Sequence, residues 1–143
     1  MGSVRFSIAV RSGVRPRRVQ VVVYDSIEEM QAAGERYSSM APGEFRNALA
    51  LSQPRTMWDE NGVLAEMAGV LRFVRGHLDA EVVCHEATHM GFFIDRDDCQ
   101  RGIGEGWGLN YMPQEEVLAH LVGEIASKVV SGLYRRRLYE GVG

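Results

Sequence analysis

The run Glu81-Val82-Val83-Cys84-His85-Glu86-Ala87-Thr88-His89-Met90-Gly91-Phe92-Phe93 decides how this chain is read. Inside it stands His85-Glu86-Ala87-Thr88-His89, two histidines four residues apart with a glutamate directly after the first. On an α-helix a four-residue step turns about 40° around the axis, so both imidazoles project from one face. Glu86 lies about 60° from His89 on the same side. Two neutral imidazoles and one later ligand can hold Zn²⁺ and leave a fourth position for water. A carboxylate that does not ligate can then take a proton from that water, whose pKa the metal lowers to roughly 7.

The plainer alternative is a helix whose histidines only cap, pair or fill a wall. Its context argues against that. Val82, Val83, Met90, Phe92, Phe93 and Ile94 make the helix largely apolar, so burial is expected, and two unpaired buried imidazoles would need a reason. Cys84 points about 100° away from His85 and should miss a metal held there. A small buried thiol is the expectation for it.

The rest of the composition sets bounds. With 143 residues, 45% hydrophobic and 24% charged, the chain reads as one globular domain over 1–143 with a core of its own. A net charge of −3 carries no basic signature, so nucleic acid is not expected as a partner. No run approaches the ~18 apolar residues that a bilayer crossing needs, so no membrane is expected either. The first residues, Met1 to Ile8, lack the basic-then-apolar plan of a signal peptide. Cys84 and Cys99 suggest no disulfide framework, and a reducing cytoplasm is the expected setting.

Along the chain, Val4, Phe6, Ile8 and Val10 alternate with Arg5, Ser7 and Ala9, the period of a strand. Arg15-Pro16-Arg17-Arg18 breaks it and reads as a solvated basic turn. Val19-Gln20-Val21-Val22-Val23-Tyr24 is the strongest strand, and its apolar run suggests a central place. Ser26 and Glu29 have capping-box form ahead of a helix striped by Ile27, Met30, Ala33 and Tyr37. Short strands are expected at Ala48–Ser52 and Thr56–Trp58. One or two more should fall between Val63 and Val74, forming an edge strand beside the site that could take an extended peptide. Asp79 is a candidate N-cap for the histidine helix, which should end by the solvated Asp95-Arg96-Asp97-Asp98. The glycines of Arg101–Asn110 read as a connection bordering the site, because no phosphate-loop pattern is present. Pro113 suits the first turn of a long helix in which Leu118, Val122, Ile125, Val129 and Leu133 repeat. Arg135, Arg136 and Arg137 fall near its negative end.

Two histidines hold zinc weakly, and the residues leave Glu115, Glu116, His120 and Glu124 as candidates for the third ligand. His85-Glu86-x-x-His89 followed by Glu116-Val117-Leu118-Ala119 on a second helix resembles the gluzincin arrangement, H-E-x-x-H and then E-x-x-A. In particular it resembles the small cytoplasmic or phage-encoded metallopeptidases related to the ImmA/IrrE group, over roughly residues 63–134. The resemblance implies His85, His89 and Glu116 as zinc ligands, Glu86 as the catalytic base, and hydrolysis of a peptide bond in a protein or peptide substrate. Where related enzymes often carry an Asp that supports a zinc histidine, this chain has His120. That departure leaves His120 as a supporting group, an oxyanion stabiliser, a substitute ligand or a wall residue. Residues 90–98 hold no histidine, so the metzincin plan does not apply.

The expected fold is α+β, a minimal zincin-like domain with a small mixed sheet, an H-E-x-x-H helix and a long C-terminal helix carrying the third ligand. The expected activity is that of a zinc-dependent metallopeptidase. Two alternatives stand beside it: a zinc-binding regulatory or interaction domain without turnover, and a zinc hydrolase of a non-peptide amide.

Overall fold

Alternation builds the first two strands of the computed structural model, which describes residues 3–12, 15–55, 66–100 and 114–139. In β1 (Val4–Ser12) Phe6, Ile8 and Val10 are buried while Arg5, Ser7 and Ala9 face outward. β2 (Arg15–Tyr24) pairs with it antiparallel, from Val4 opposite Val23 to Ser12 opposite Arg15. β2 is central, as its apolar run implies. Its other side pairs in parallel with β4 (Met67–Val74), and β4 pairs antiparallel with the short β3 (Leu51–Pro54). The strand order is β1-β2-β4-β3.

Helices cover both faces of this mixed sheet, giving an α+β fold. α1 (Ile27–Tyr37) packs Met30 against Val22, Tyr24, Val70 and Val74. Its start is capped as the sequence predicts: Ser26 Oγ accepts from the Glu29 N–H at 3.2 Å. On the opposite face, α2 (Ala80–Gln100) and α3 (Gln114–Arg135) bury Phe6, Ile8, Val19, Val21, Leu71 and Phe73. Asp79 caps α2 by accepting from the Val82 N–H at 2.9 Å.

The buried stripe of α3 runs through Val117, Leu121, Ile125, Val129 and Leu133, with Leu118 and Val122 half-buried beside it. Its span Glu115–Arg135 is long and apolar enough in composition to cross a membrane. α3 meets β1 at Gly132, where an added Cβ would lie 2.3 Å from the Phe6 ring.

Three expectations change. The edge strand beside the histidine helix is β3, whereas β4 is an inner strand whose residues from Ala68 to Val74 are all buried. Burial on both faces is what a strand with a parallel neighbour and helices above and below requires. The basic cluster at 15–18 is not a solvated turn: it opens β2, and Arg17 is 2% exposed. α2 likewise continues past Asp95 to Gln100, with Asp97 and Asp98 buried. The two changes have one cause. Arg17 shares the inward face of β2 with Val19 and reaches the last turn of α2, where Nη1 donates to Asp98 Oδ1 at 2.8 Å and Nη2 to Asp97 Oδ2 at 3.4 Å. That turn carries no basic residue of its own, so Arg17 offsets two carboxylates set against the negative end of the helix dipole. The expected strand at 56–58 and the glycine-rich connection at 101–110 lie outside the described residues.

Candidate metal centre

Helix geometry delivers the two histidines as the motif predicts. The Nε2 atoms of His85 and His89 lie 3.2 Å apart, with ring centroids at 4.8 Å and planes at 74°. Two nitrogens that each sit about 2.0–2.1 Å from one tetrahedral zinc are separated by about 3.3–3.4 Å, so this spacing matches half of a zinc shell. The same spacing also suits a hydrogen bond in which one neutral ring donates and the other accepts. The pair stands on the exposed side of α2, not in the core. The helix is amphipathic: Val83, Ala87, Met90 and Ile94 are buried, while Cys84, Thr88 and Phe92 are exposed with the histidines. Cys84 is therefore an exposed thiol, contrary to expectation.

Glu86 takes the other course. It is only 8% exposed and turns toward β3, where Ser52 Oγ donates to its Oε1 at 2.6 Å. Ser52 Oγ is also 2.9 Å from the Glu86 backbone carbonyl. A hydroxyl has one proton, and the shorter contact, to the charged oxygen, is the stronger. Sequence reasoning missed Ser52. Its signal is faint: alternation in β3 sends Leu51 and Gln53 toward α1, which leaves Ser52 facing α2. A groove of about 430 Å³ opens here, lined by Ala48, Leu49, Ala50, Glu81, Val82, His85 and Glu86. A candidate base and a candidate ligand thus share one wall, and the residues leading into the edge strand form the other.

The candidates for the third ligand are placed differently. Glu115, Glu116 and His120 lie exposed in the first two turns of α3, with Glu116 Oε2 4.0 Å from His120 Nε2. Glu124 is engaged elsewhere, accepting from the Arg11 N–H at 3.1 Å and facing Lys128 at 3.0 Å. Of the set His85, His89 and Glu116, the structure brings together the first two. Among the described residues no group of three or more His, Cys, Asp or Glu side chains converges to hold a metal ion. The donor set therefore fits zinc at two positions, and the described residues do not assemble the remaining shell.

Comparison with known protein families, curated proteins and solved structures finds no match to this chain.

Proposed function

We propose that this chain is a zinc-dependent metallopeptidase of the gluzincin type, acting in the cytoplasm on a protein or peptide. The observation that carries the reading is the convergence of His85 and His89 at 3.2 Å beside a groove whose lining also includes Glu86. His85 and His89 would hold the metal, with Glu116 as the third ligand. Zinc, when bound, would supply a Lewis acid and a water ionising near neutrality. Glu86 accepts a proton from the attacking water and hands it to the departing amine nitrogen. Ser52 keeps the Glu86 carboxylate turned toward the groove. An extended substrate lies along β3, whose place at the sheet edge suits strand addition.

One observation favours a second reading, a zinc-binding regulatory domain without turnover: Glu116 stands exposed beside His120 and forms no three-ligand group with the histidine pair. The two readings separate by experiment. Metal analysis of the purified chain should give about one zinc per chain, lost in His89→Ala and in Glu116→Ala. Cleavage of a peptide library should require both zinc and Glu86, and disappear in Glu86→Gln. Zinc bound without any Glu86-dependent cleavage selects the regulatory reading. No zinc after reconstitution overturns both.

A further inference from the structure

The sheet face covered by α1 carries a second cavity, of about 570 Å³, that has no part in the histidine chemistry. Arg5, Gln20, Tyr24, Arg36, Tyr37 and Arg72 form its working walls, with Ser3 and Glu29 at its margin. Its volume is in the ordinary range for a small-molecule site. Three guanidinium groups against one carboxylate leave it net positive.

Arg72 is the unusual member. It is 6% exposed, yet every partner it has among the described residues is neutral: Nε donates to Gln53 Oε1 at 2.7 Å, Nη1 donates to the Tyr24 hydroxyl oxygen, and the guanidinium lies 5.0 Å from the Tyr37 ring centroid. A buried charge normally pairs with an opposite one, because desolvation is costly otherwise. The site is built to hold this charge in place. Gln53 Nε2 donates to the Gly34 carbonyl at 2.8 Å and to Ser38 Oγ at 2.7 Å, so its oxygen must face Arg72.

Donors remain in excess. Arg72 uses two of its five N–H groups, and the Tyr24 hydroxyl proton has no acceptor among the described residues. Arg5 sits two strands away in the same cross-strand row, Arg5 to Val22 to Arg72. The side chains of Arg5 and Arg36 are exposed and make no ion pair among the described residues. A buried cation with spare donors, an adjacent phenol and two further cations at the mouth call for an oxyanion.

We propose that this cavity binds the phosphate or carboxylate group of a small anionic molecule, anchored by Arg72 and Tyr24 and closed over by Arg5 and Arg36. The proposal is independent of the metal reading.

The test is thermal unfolding and titration calorimetry with inorganic phosphate and with succinate, against sodium chloride of equal ionic strength. A His89→Ala background keeps both anions from any metal. One or both anions should raise the melting temperature by several degrees beyond chloride. A response to phosphate alone assigns a phosphoryl ligand, and one to succinate alone a carboxylate ligand. The Arg5→Gln/Arg36→Gln double variant, altered only at exposed positions, should weaken binding at least about tenfold, and Arg72→Gln should abolish it. If Arg72→Gln does not fold, the double variant still decides. No stabilisation by either anion overturns the proposal, as does binding that the double variant leaves unchanged.

Discussion

Ser52 Oγ lies 2.6 Å from Glu86 Oε1, so the edge strand of the sheet and the glutamate of the H-E-x-x-H helix are joined by one charge-assisted hydrogen bond. The bond crosses from β3 to α2 and fixes the carboxylate at the groove. It links a local motif to the sheet beside it.

That bond predicts a measurable coupling. Ser52→Ala should destabilise the fold by about 1–2 kcal/mol, because a mostly buried carboxylate loses its donor. Urea unfolding of Ser52→Ala, Glu86→Ala and the double variant closes a cycle whose coupling should be about 1 kcal/mol. Additive effects would mean that the two side chains do not interact in solution.

The ion cluster at the far end of α2 predicts a larger effect. Arg17→Met withdraws the guanidinium from Asp97 and Asp98 and should cost about 3–5 kcal/mol, because two buried carboxylates lose a hydrogen-bonded cation. Replacing the carboxylates as well, in Arg17→Met/Asp97→Asn/Asp98→Asn, should restore a substantial part of that loss. A loss below about 0.5 kcal/mol in Arg17→Met, the scale of an exposed substitution, would contradict the buried pairing.

Two glycines of α3 should respond in opposite directions. An added Cβ on Gly123 meets nothing within 4 Å, so Gly123→Ala should stabilise by about 0.5–1 kcal/mol through helix propensity. Gly132→Ala drives a methyl into the Phe6 ring and should cost about 1–3 kcal/mol. Thermal melts of the two variants should therefore bracket the wild type.

Zinc itself gives the fourth prediction. If the histidine pair binds zinc, saturation at about 100 times the dissociation constant should add about 2.7 kcal/mol of stability. His85→Ala and His89→Ala should each remove that increment. Cys84→Ser should leave it intact, because Cys84 points away from the pair around the helix. Loss of the increment in Cys84→Ser would bring the thiol into the site.

What could be read from the sequence is what depends on near neighbours in the chain. Alternation located β1, because successive side chains of a strand point to opposite faces, and a continuous apolar run located the core of β2. Ser26 and Asp79 marked helix starts, because a cap is a bond between residues three apart. The side-by-side imidazoles of His85 and His89 follow from the four-residue step alone. The inner position of β4 was harder to read, since a run apolar on both faces does not say which strands will flank it.

Tertiary structure decided where charge is buried. Arg17 meets Asp98 across 81 residues, and Ser52 meets Glu86 across 34, so neither pairing leaves a periodic trace in the chain. The sequence around Arg17 and Asp98 looks solvated because charged residues usually are, and only the docking of the end of α2 on β2 makes it worthwhile to bury them together. Arg72 follows the same logic: strand order sets it under α1 among Gln53, Tyr24 and Tyr37, an environment no local pattern encodes. The sequence by itself determined β1, the core of β2, the helix starts and the histidine pair, since those are short-range geometry. The fold alone determined which polar groups leave water, because burial depends on what lies across the sheet.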